Sequence, residues 1–277
     1  MPRSRRSRTA QGVAAERAVL STMGVLADPL ARTMLSPSMT TVVGIARHLP
    51  AAVLTRSVTL AGLAARVLWF DARVTDALDA GITQVAAIGA GYDSRPWRLH
   101  RDGVSFFELD EPGTQREKMD RAPGQRPVYV GADLRRESAG DAMAAHGLDP
   151  KRPALFVMEG VTMYLEEQTV RDQLAGLAAS GGAGSRLAVD FYPPPAAGTT
   201  RHHRQNRLQR LARVGSGESL RLTLAPAAAR ALVTGSGWEV TESTSLRHAA
   251  RALVPVASGL PVDAVNADKT LIAARRR

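Results

Sequence analysis

Five short apolar runs each end in a glycine turn or an acid. Gln84 to Ile88 opens into Gly89-Ala90-Gly91, Ser105 to Leu109 stops at Asp110, and Pro127 to Gly131 runs on to Asp133. Ala154 to Met158 stops at Glu159, and Arg186 to Val189 at Asp190. Short, apolar, non-alternating runs are the pattern of strands buried on both faces of a parallel sheet. In such a sheet, ligands bind outside the carboxyl ends of the strands. Glycines at the first turn let the backbone approach a ligand closely. Asp110, 21 residues after Gly89, can accept hydrogen bonds from two ribose hydroxyls. The chemistry indicated is nucleoside binding. An acid after a strand can also simply cap the next helix, and Asp190, followed by a Pro-rich stretch, is given no role.

The glycine turn leaves two nucleoside donors open. Nicotinamide dinucleotides use the same turn and the same acid. A dinucleotide also asks for a third small residue, where helix and strand pack around the diphosphate. Here the pattern runs Gly89-x-Gly91-x-x-Ser94. Ser is small, so the turn leans towards a donor without phosphate, such as S-adenosylmethionine (SAM), without deciding the matter.

The elements that must hold these residues alternate between strand and helix, which implies a parallel α/β sheet. A helix is expected over 13–27, ended by Asp28-Pro29, and 51–80 reads as mostly helical with Gly81 just past its end. Glu166 to Ala179 carries Val170, Leu174 and Leu177 at helical spacing, and Pro226 starts another helix ending near Gly235. Trp238 to Glu242 and Thr270 to Ala274 are expected as closing strands. Residues 193–225 break the alternation with three prolines and an Arg-rich cluster, and read as an insertion capping the site.

Four motifs in order resemble the leucine carboxyl methyltransferase family. The turn Gly89-Ala90-Gly91-Tyr92-Asp93-Ser94-Arg95 with Arg98-Leu99 is similar to that family's GAGxDTRxxRL turn, with Ser94 in place of the usual Thr. Phe107-Glu108-Leu109-Asp110-Glu111-Pro112 with Lys118, then Gly131-Ala132-Asp133-Leu134-Arg135, then Glu159-Gly160-Val161-Thr162-Met163-Tyr164-Leu165 resemble its next three signatures. Arg17-Ala18, Asp28-Pro29, Ala65-Arg66-Val67 and Phe70-Asp71 resemble its N-terminal segments. The likeness is greatest to the bacterial branch, which includes O-methyltransferases of polyketide pathways such as tetracenomycin. It covers roughly residues 13 to 275 and is poor over 193–225.

The resemblance implies a class I SAM-dependent methyltransferase fold. That is a Rossmann-like, seven-stranded, mostly parallel α/β sheet whose last strand is antiparallel, with N-terminal helices and an inserted lid. The basic stretch 1–12 is itself expected to be a disordered arm, and 13–277 a single domain. It also implies roles. Arg17 and Arg66 would hold the methionine carboxylate of SAM, since a guanidinium can grip a carboxylate with two parallel hydrogen bonds. Gly89, Ala90 and Gly91 would form the turn, and Asp110 would hold the ribose. Asp133 would accept from the adenine amino group while the Leu134 backbone NH donates to a ring nitrogen. Glu159 would lie beside the amino group and sulfonium. Tyr164 would orient the acceptor, or else pack as a half-buried aromatic.

The expected reaction is O-methylation, chiefly of a carboxylate on a small natural product or peptide terminus. A carboxylate titrates near ~4 and needs no base, whereas a phenol, near ~10, would be helped by one. His202 and His203, the adjacent pair in the lid, are the candidates, unless that loop is simply solvated. Arg201, Arg204, Arg207, Arg210 and Arg213 step by three, so on a helix the row wraps round the axis. Such a row suits steering of an acidic small-molecule acceptor, or a solvated segment.

Charge and composition bound the alternatives. The net charge is +10, but twelve arginines in the first eight residues, the 201–213 cluster and the last three residues exceed that excess, leaving 24 basic and 26 acidic residues. Nucleic acid is therefore disfavoured as a partner, the more so because twelve aromatic residues are few for base stacking. An oxidoreductase would share the turn and Asp110, but no Tyr-x-x-x-Lys pair is evident. A SAM-binding protein without activity is the third alternative. The absence of cysteine excludes thiolate chemistry, and the six histidines show no metal-ligand spacing. No apolar run reaches the ~20 residues of a membrane span, so the expected location is the cytoplasm. A homodimer is left open. The Ala- and Arg-rich composition points to a high-GC genome and a specialised-metabolite pathway.

Overall fold

The computed structural model describes residues 8–46, 48–124, 126–195 and 220–277. Seven strands form one sheet: β1 (Gln84–Ile88), β2 (Ser105–Asp110), β3 (Val128–Gly131), β4 (Leu155–Met158), β5 (Arg186–Phe191), β6 (Trp238–Ser245) and β7 (Thr270–Arg276). Their order is β3-β2-β1-β4-β5-β7-β6. The first five run parallel, and β7 lies antiparallel between β5 and β6. This is the expected class I methyltransferase arrangement. The chain moves outward from β1 to β3 and then returns to the other side of β1 with β4. The order therefore reverses between β1 and β4, and a crevice opens there.

The apolar runs are explained by cover on both faces. Ile88, Leu109, Phe156 and Met158 bury one face against Met143, Leu174, Leu177 and Trp238. Val85, Phe106, Leu155 and Val157 bury the other against Phe70, Val74 and Leu246. Edge strand β6 behaves differently: only Trp238 is buried, and the rest alternates towards solvent.

Ten α-helices are described: α1 (Arg8–Thr22), α2 (Pro37–Ala46), α3 (Ala51–Leu54), α4 (Val58–Asp79), α5 (Arg95–Arg98), α6 (Pro112–Met119), α7 (Ala139–Ala145), α8 (Glu167–Ser180), α9 (Pro226–Gly235) and α10 (Leu246–Leu253). Helix α4 positions most of the site. The Ser57 side chain caps its first turn by accepting from Leu60 N at 3.2 Å, and Gly81 follows its end at φ +82°. Its Leu60, Leu63, Val67, Phe70 and Val74 keep one apolar stripe on the sheet.

Helix α1 departs from expectation at both ends. It begins at Arg8, inside the stretch expected as an arm, and residues 1–7 lie outside the described ones. It stops at Thr22 rather than at Asp28-Pro29, because Gly24 adopts φ +70° and Val25 N donates back to Leu20 O at 2.9 Å. That backbone bond satisfies the last carbonyls without further helix. Residues 193–195 and 220–225 of the expected lid form no helix or strand, and 196–219 lie outside the described residues.

Candidate active site

The carboxyl ends of β1, β2 and β3 form one half of the rim. Gly89 N and Ala90 N both donate to Leu109 O, at 2.7 and 3.1 Å, which pins the glycine turn to β2. Gly89 has φ +68°, and a Cβ there would come 2.3 Å from Val161 Cγ2, so the turn has no room for a side chain. Gly91, at φ +52°, sits under α1, where an added Cβ would lie 3.2 Å from Ala10. Asp110 braces the turn. One carboxylate oxygen accepts from Gly91 N at 2.6 Å and the other from Glu111 N at 2.7 Å. Burial pushes the Asp110 carboxyl up, against the pull of these two NH groups. Each oxygen keeps a lone pair for a hydroxyl.

Asp133 and Leu134 follow β3, both half-buried. The Asp133 carboxylate folds back on Arg135, accepting from its backbone N at 3.1 Å and its Nε at 2.8 Å. Hydrogen bonding by Arg135 holds it below the usual carboxylate range. The Leu134 carbonyl accepts from Gln173 Nε2 at 2.8 Å, which fixes the plane of that loop.

The ends of β4 and β5 form the other half, and it is dense with charge. Glu159 lies between two guanidiniums: Arg66 Nε donates to Oε1 at 2.9 Å and Arg95 Nη2 to Oε2 at 2.7 Å. Burial alone would raise the Glu159 carboxyl; Arg95 and Arg66 outweigh it and hold it down to about 2. Gly160 follows at φ +66°, and a Cβ there would lie 3.3 Å from Arg66 Nη1. Arg95 also binds Asp71 at 2.6 Å and Asp93 at 3.0 Å, and Arg98 binds Asp71 at 2.8 Å. Beyond Glu159, Gly160 N donates to Asp190 Oδ1 at 2.7 Å, and Lys269 lies 2.8 Å from Asp190 Oδ2. Arg17 joins the same network through Asp28, to which Nε donates at 2.8 Å. Its Nη1 donates to the Tyr92 carbonyl at 2.9 Å and its Nη2 to Ser94. Five cations (Arg17, Arg66, Arg95, Arg98 and Lys269) thus meet five carboxylates (Asp28, Asp71, Asp93, Glu159 and Asp190).

The expected site residues therefore converge in part. Gly89, Ala90, Gly91, Asp110, Asp133, Leu134, Arg66 and Glu159 share one rim. Arg17 is committed to Asp28, Ser94 and the glycine turn, so in this structure it positions the turn; the resemblance implied ligand contact. Tyr164 is half-buried in the single-turn helix Thr162–Tyr164 after β4. Arg201, His202, His203 and Arg204 lie outside the described residues. Among the described residues no cluster of His, Asp and Glu is arranged to hold a metal, and no helix is long and apolar enough to cross a membrane. Sequence reasoning gave no role to Asp28, Asp71, Asp93, Arg95, Arg98, Lys269 or Tyr192. A signal existed for the arginines: acids gathered at strand ends need buried cations, and Arg95 and Arg98 directly follow the turn.

The model of the family described as Leucine carboxyl methyltransferase matches residues 10–178, which take in the turn, Asp110, Asp133 and Glu159. The chain belongs to the leucine carboxyl methyltransferase family. A relative from Mycobacterium sp. (strain KMS) is 36% identical over 137 residues, 47% of this chain and 45% of the relative. One from Mycolicibacterium paratuberculosis (strain ATCC BAA-968 / K-10) is 31% identical over 189 residues, 65% of this chain and 62% of the relative. Both carry the name "Putative S-adenosyl-L-methionine-dependent methyltransferase". The chain thus covers less than two thirds of either relative. Among solved structures, a duf574 family protein from Streptomyces avermitilis superposes with TM-score 0.61 at 17% identity, covering 95% of this chain and 97% of that one. A protein from Thermobifida fusca YX does so with TM-score 0.56 at 16% identity, covering 95% and 94%. These two share the family member's fold.

Proposed function

We propose that this family member is a SAM-dependent O-methyltransferase acting on a carboxylate of a small acidic acceptor, such as a natural product or a peptide terminus. The observation that carries the choice of donor is Asp93. The short helix after the glycine turn is where a dinucleotide places its diphosphate, on free backbone NH groups. Here Asp93 Oδ1 already accepts from Arg95 N at 2.9 Å. Burial would raise that carboxyl, but Arg95, Lys118 and Arg17 hold it well below the usual range, so it is an anion. That backbone NH is therefore already taken by the protein's own carboxylate, and a diphosphate would find it closed. A phosphate-free donor meets no such conflict.

The residues present fit SAM. The glycine turn admits a ligand where a Cβ would not fit, Asp110 offers lone pairs to the ribose, and Asp133 and Leu134 stand where an adenine edge would lie. Arg66 remains the best-placed cation for the methionine carboxylate, and Glu159 the best-placed anion for its amino group. When bound, SAM supplies a methyl group on a sulfonium leaving group. A carboxylate acceptor arrives ionised, so the protein has no proton to remove. What it contributes is alignment, which can supply roughly 7–11 kcal/mol of a barrier. The family's name supports a carboxyl acceptor.

Calorimetric titration with SAM, S-adenosylhomocysteine and NADH side by side tests the donor. Binding of both adenosyl ligands and not of NADH is expected; binding of NADH alone overturns the proposal. The acceptor class is read from the product. A methyl ester releases methanol in mild alkali, whereas an aryl methyl ether survives and would shift the reading to a phenol.

A further inference from the structure

The stretch from 29 to 70 contains no Asp or Glu, yet it holds Arg32, Arg47, His48, Arg56 and Arg66. Apart from Arg66 it has no part in the reaction described above. Within it, Val42, Ile45, Leu49 and Val53 follow one another at steps of three, four and four residues, the spacing that keeps side chains on one side of a helix. The backbone agrees: His48 N donates to Ile45 O, Leu49 N to Ala46 O and Val53 N to Pro50 O, at 3.0, 3.1 and 2.8 Å, so helical turns continue on both sides of Pro50. Other residues anchor the segment. Val43 of α2 belongs to the buried cluster of Ala14, Ala18 and Met34, and Leu54 of α3 packs against the cluster that contains Leu60 and Leu63. A fifth apolar side chain comes from a distant part of the chain. Val256 opens the single-turn helix Val256–Ser258, and Gly259 at its end sits against α3, where an added Cβ would lie 3.4 Å from Thr55 Cγ2. These five side chains are 43% to 96% exposed, and they are five of the seven exposed large apolar side chains among the described residues.

We propose that this face docks on an anionic lipid surface, its aliphatic side chains entering the headgroup layer while the surrounding arginines meet lipid phosphates. Charge selects the occupant first. Arg32 and Arg56 flank the patch in the chain and are exposed, and the stretch lacks the acids that an anionic surface would repel. Asp263, the acid nearest Val256 in the chain, is paired with Arg251 at 2.6 Å. Helix α1 adds to the charge. The Gln11 side chain binds Met34 O at 3.3 Å and Ser36 N at 2.8 Å, which fixes the start of α1 beside the start of α2, and positions 3, 5, 6 and 8 of the sequence are arginine. Side-chain type selects it next. Hot spots for protein partners are rich in Trp and Tyr and poor in Leu and Val, whereas all five residues here are aliphatic. A second copy related by a twofold axis would set this basic face against itself. Attachment of this kind needs no spanning helix, because buried apolar area and attraction to anionic lipid add together. It does not depend on the choice of methyl donor.

The test is co-sedimentation of the whole chain with vesicles of phosphatidylcholine alone, and of phosphatidylcholine and phosphatidylglycerol in equal parts, at low and high salt. Binding to the mixed vesicles, weakened by salt, is expected. Ile45→Asp with Val256→Asp alters exposed positions only, so the urea midpoint should match that of the unaltered protein, while affinity for the mixed vesicles should fall at least about tenfold. Arg32→Ser with Arg56→Ser should lower it roughly fivefold for each charge removed and flatten the salt dependence. Failure of the unaltered chain to bind mixed vesicles overturns the proposal, and equal binding to both kinds of vesicle overturns the anionic lipid as occupant. Undiminished binding of the Asp variant overturns it too, since adsorption would then need only the arginines. A dimer in sedimentation velocity that the Asp variant dissociates would show an interface between copies, and the proposal would fail.

Discussion

Replacing Glu159 by Gln removes one charge from the centre of the rim and changes little else in shape. The side chains of Glu159, Arg66 and Arg95 are 14%, 9% and 6% exposed, so solvent screens them poorly. Arg95 keeps Asp71 and Asp93 as partners, but Glu159 is the carboxylate in ion-pair contact with Arg66. The gap between the ordinary carboxyl value of 4.5 and about 2 in the folded protein corresponds to about 3 kcal/mol of stability at neutral pH. Breaking a buried pair by removing one partner costs ~3–5 kcal/mol, and the retained partners of Arg95 favour the lower end.

The sign of the pH dependence follows. A carboxyl with a depressed folded-state pKa stabilises above its unfolded value, and that contribution fades as pH falls towards about 2. Linkage gives about 3 kcal/mol at pH 7 and about 1.5 kcal/mol at pH 3. Urea unfolding of both proteins at the two pH values measures it. A loss below about 1 kcal/mol at pH 7, or an equal loss at both pH values, would refute the claim that Glu159 is held ionised between two buried guanidiniums.

Asp110→Ala should weaken SAM binding by ~1–3 kcal/mol in calorimetry; unchanged affinity would remove Asp110 from the donor site. Gly89→Ala forces a side chain into a φ of +68° and against Val161, and should cost at least about 2 kcal/mol in urea unfolding; a neutral result would show a looser turn. Lys118→Met leaves Glu108 buried without its ammonium partner at 2.5 Å. Burial already pushes the Glu108 carboxyl up to about 7 despite Lys118, so its folded-state pKa lies above the unfolded one and the neutral form is favoured. Without Lys118, stability should fall further as pH rises, so the penalty, ~3–5 kcal/mol at pH 8, should shrink at pH 5; equal penalties would argue against this.

The five parallel strands were legible because a buried parallel strand is a run of apolar residues bounded by a glycine or an acid. The Gln84–Ile88 boundaries agree at both ends, and β3 differs by one residue. Two helices were not foreseen. Helix α2 begins at Pro37 with small and β-branched residues and buries only Val43, so its apolar period is faint. Helix α10 does have a period, with Leu246, Ala249 and Ala250 buried and a Ser245 cap, but it is eight residues long and lies beside a Pro-rich stretch. Gly24 carried the true end of α1, and Asp28-Pro29 looked like the stronger signal. What ends a helix is the first residue that can turn left-handed and close the backbone bonds. Asp28 has another task, since its Oδ1 accepts from Ala31 N at 3.1 Å while Oδ2 holds Arg17.

The strand-end acids Asp110, Asp133 and Glu159 were legible, whereas Arg95, Arg98 and Lys269, and the acids Asp28, Asp71 and Asp93 that lie away from the ends of the strands, were not, for one physical reason. A carboxylate at the end of a strand is placed by the strand itself, and strand ends can be read along the chain. A buried cation is placed by whichever carboxylate its long side chain reaches, and that depends on the fold. Arg95 reaches Glu159 across 64 residues and Arg98 reaches back to Asp71 across 27. The balance of five cations and five carboxylates has a consequence for binding. The donor brings a carboxylate, an ammonium and a sulfonium of its own. A rim with a large net charge would favour one of these and oppose another. On the charged half of the rim, fixed and hydrogen-bonded ions of both signs offer each charge a counterpart, and their dipoles need not reorganise on binding. Breaking one ion pair at the centre should therefore disturb stability and donor affinity together.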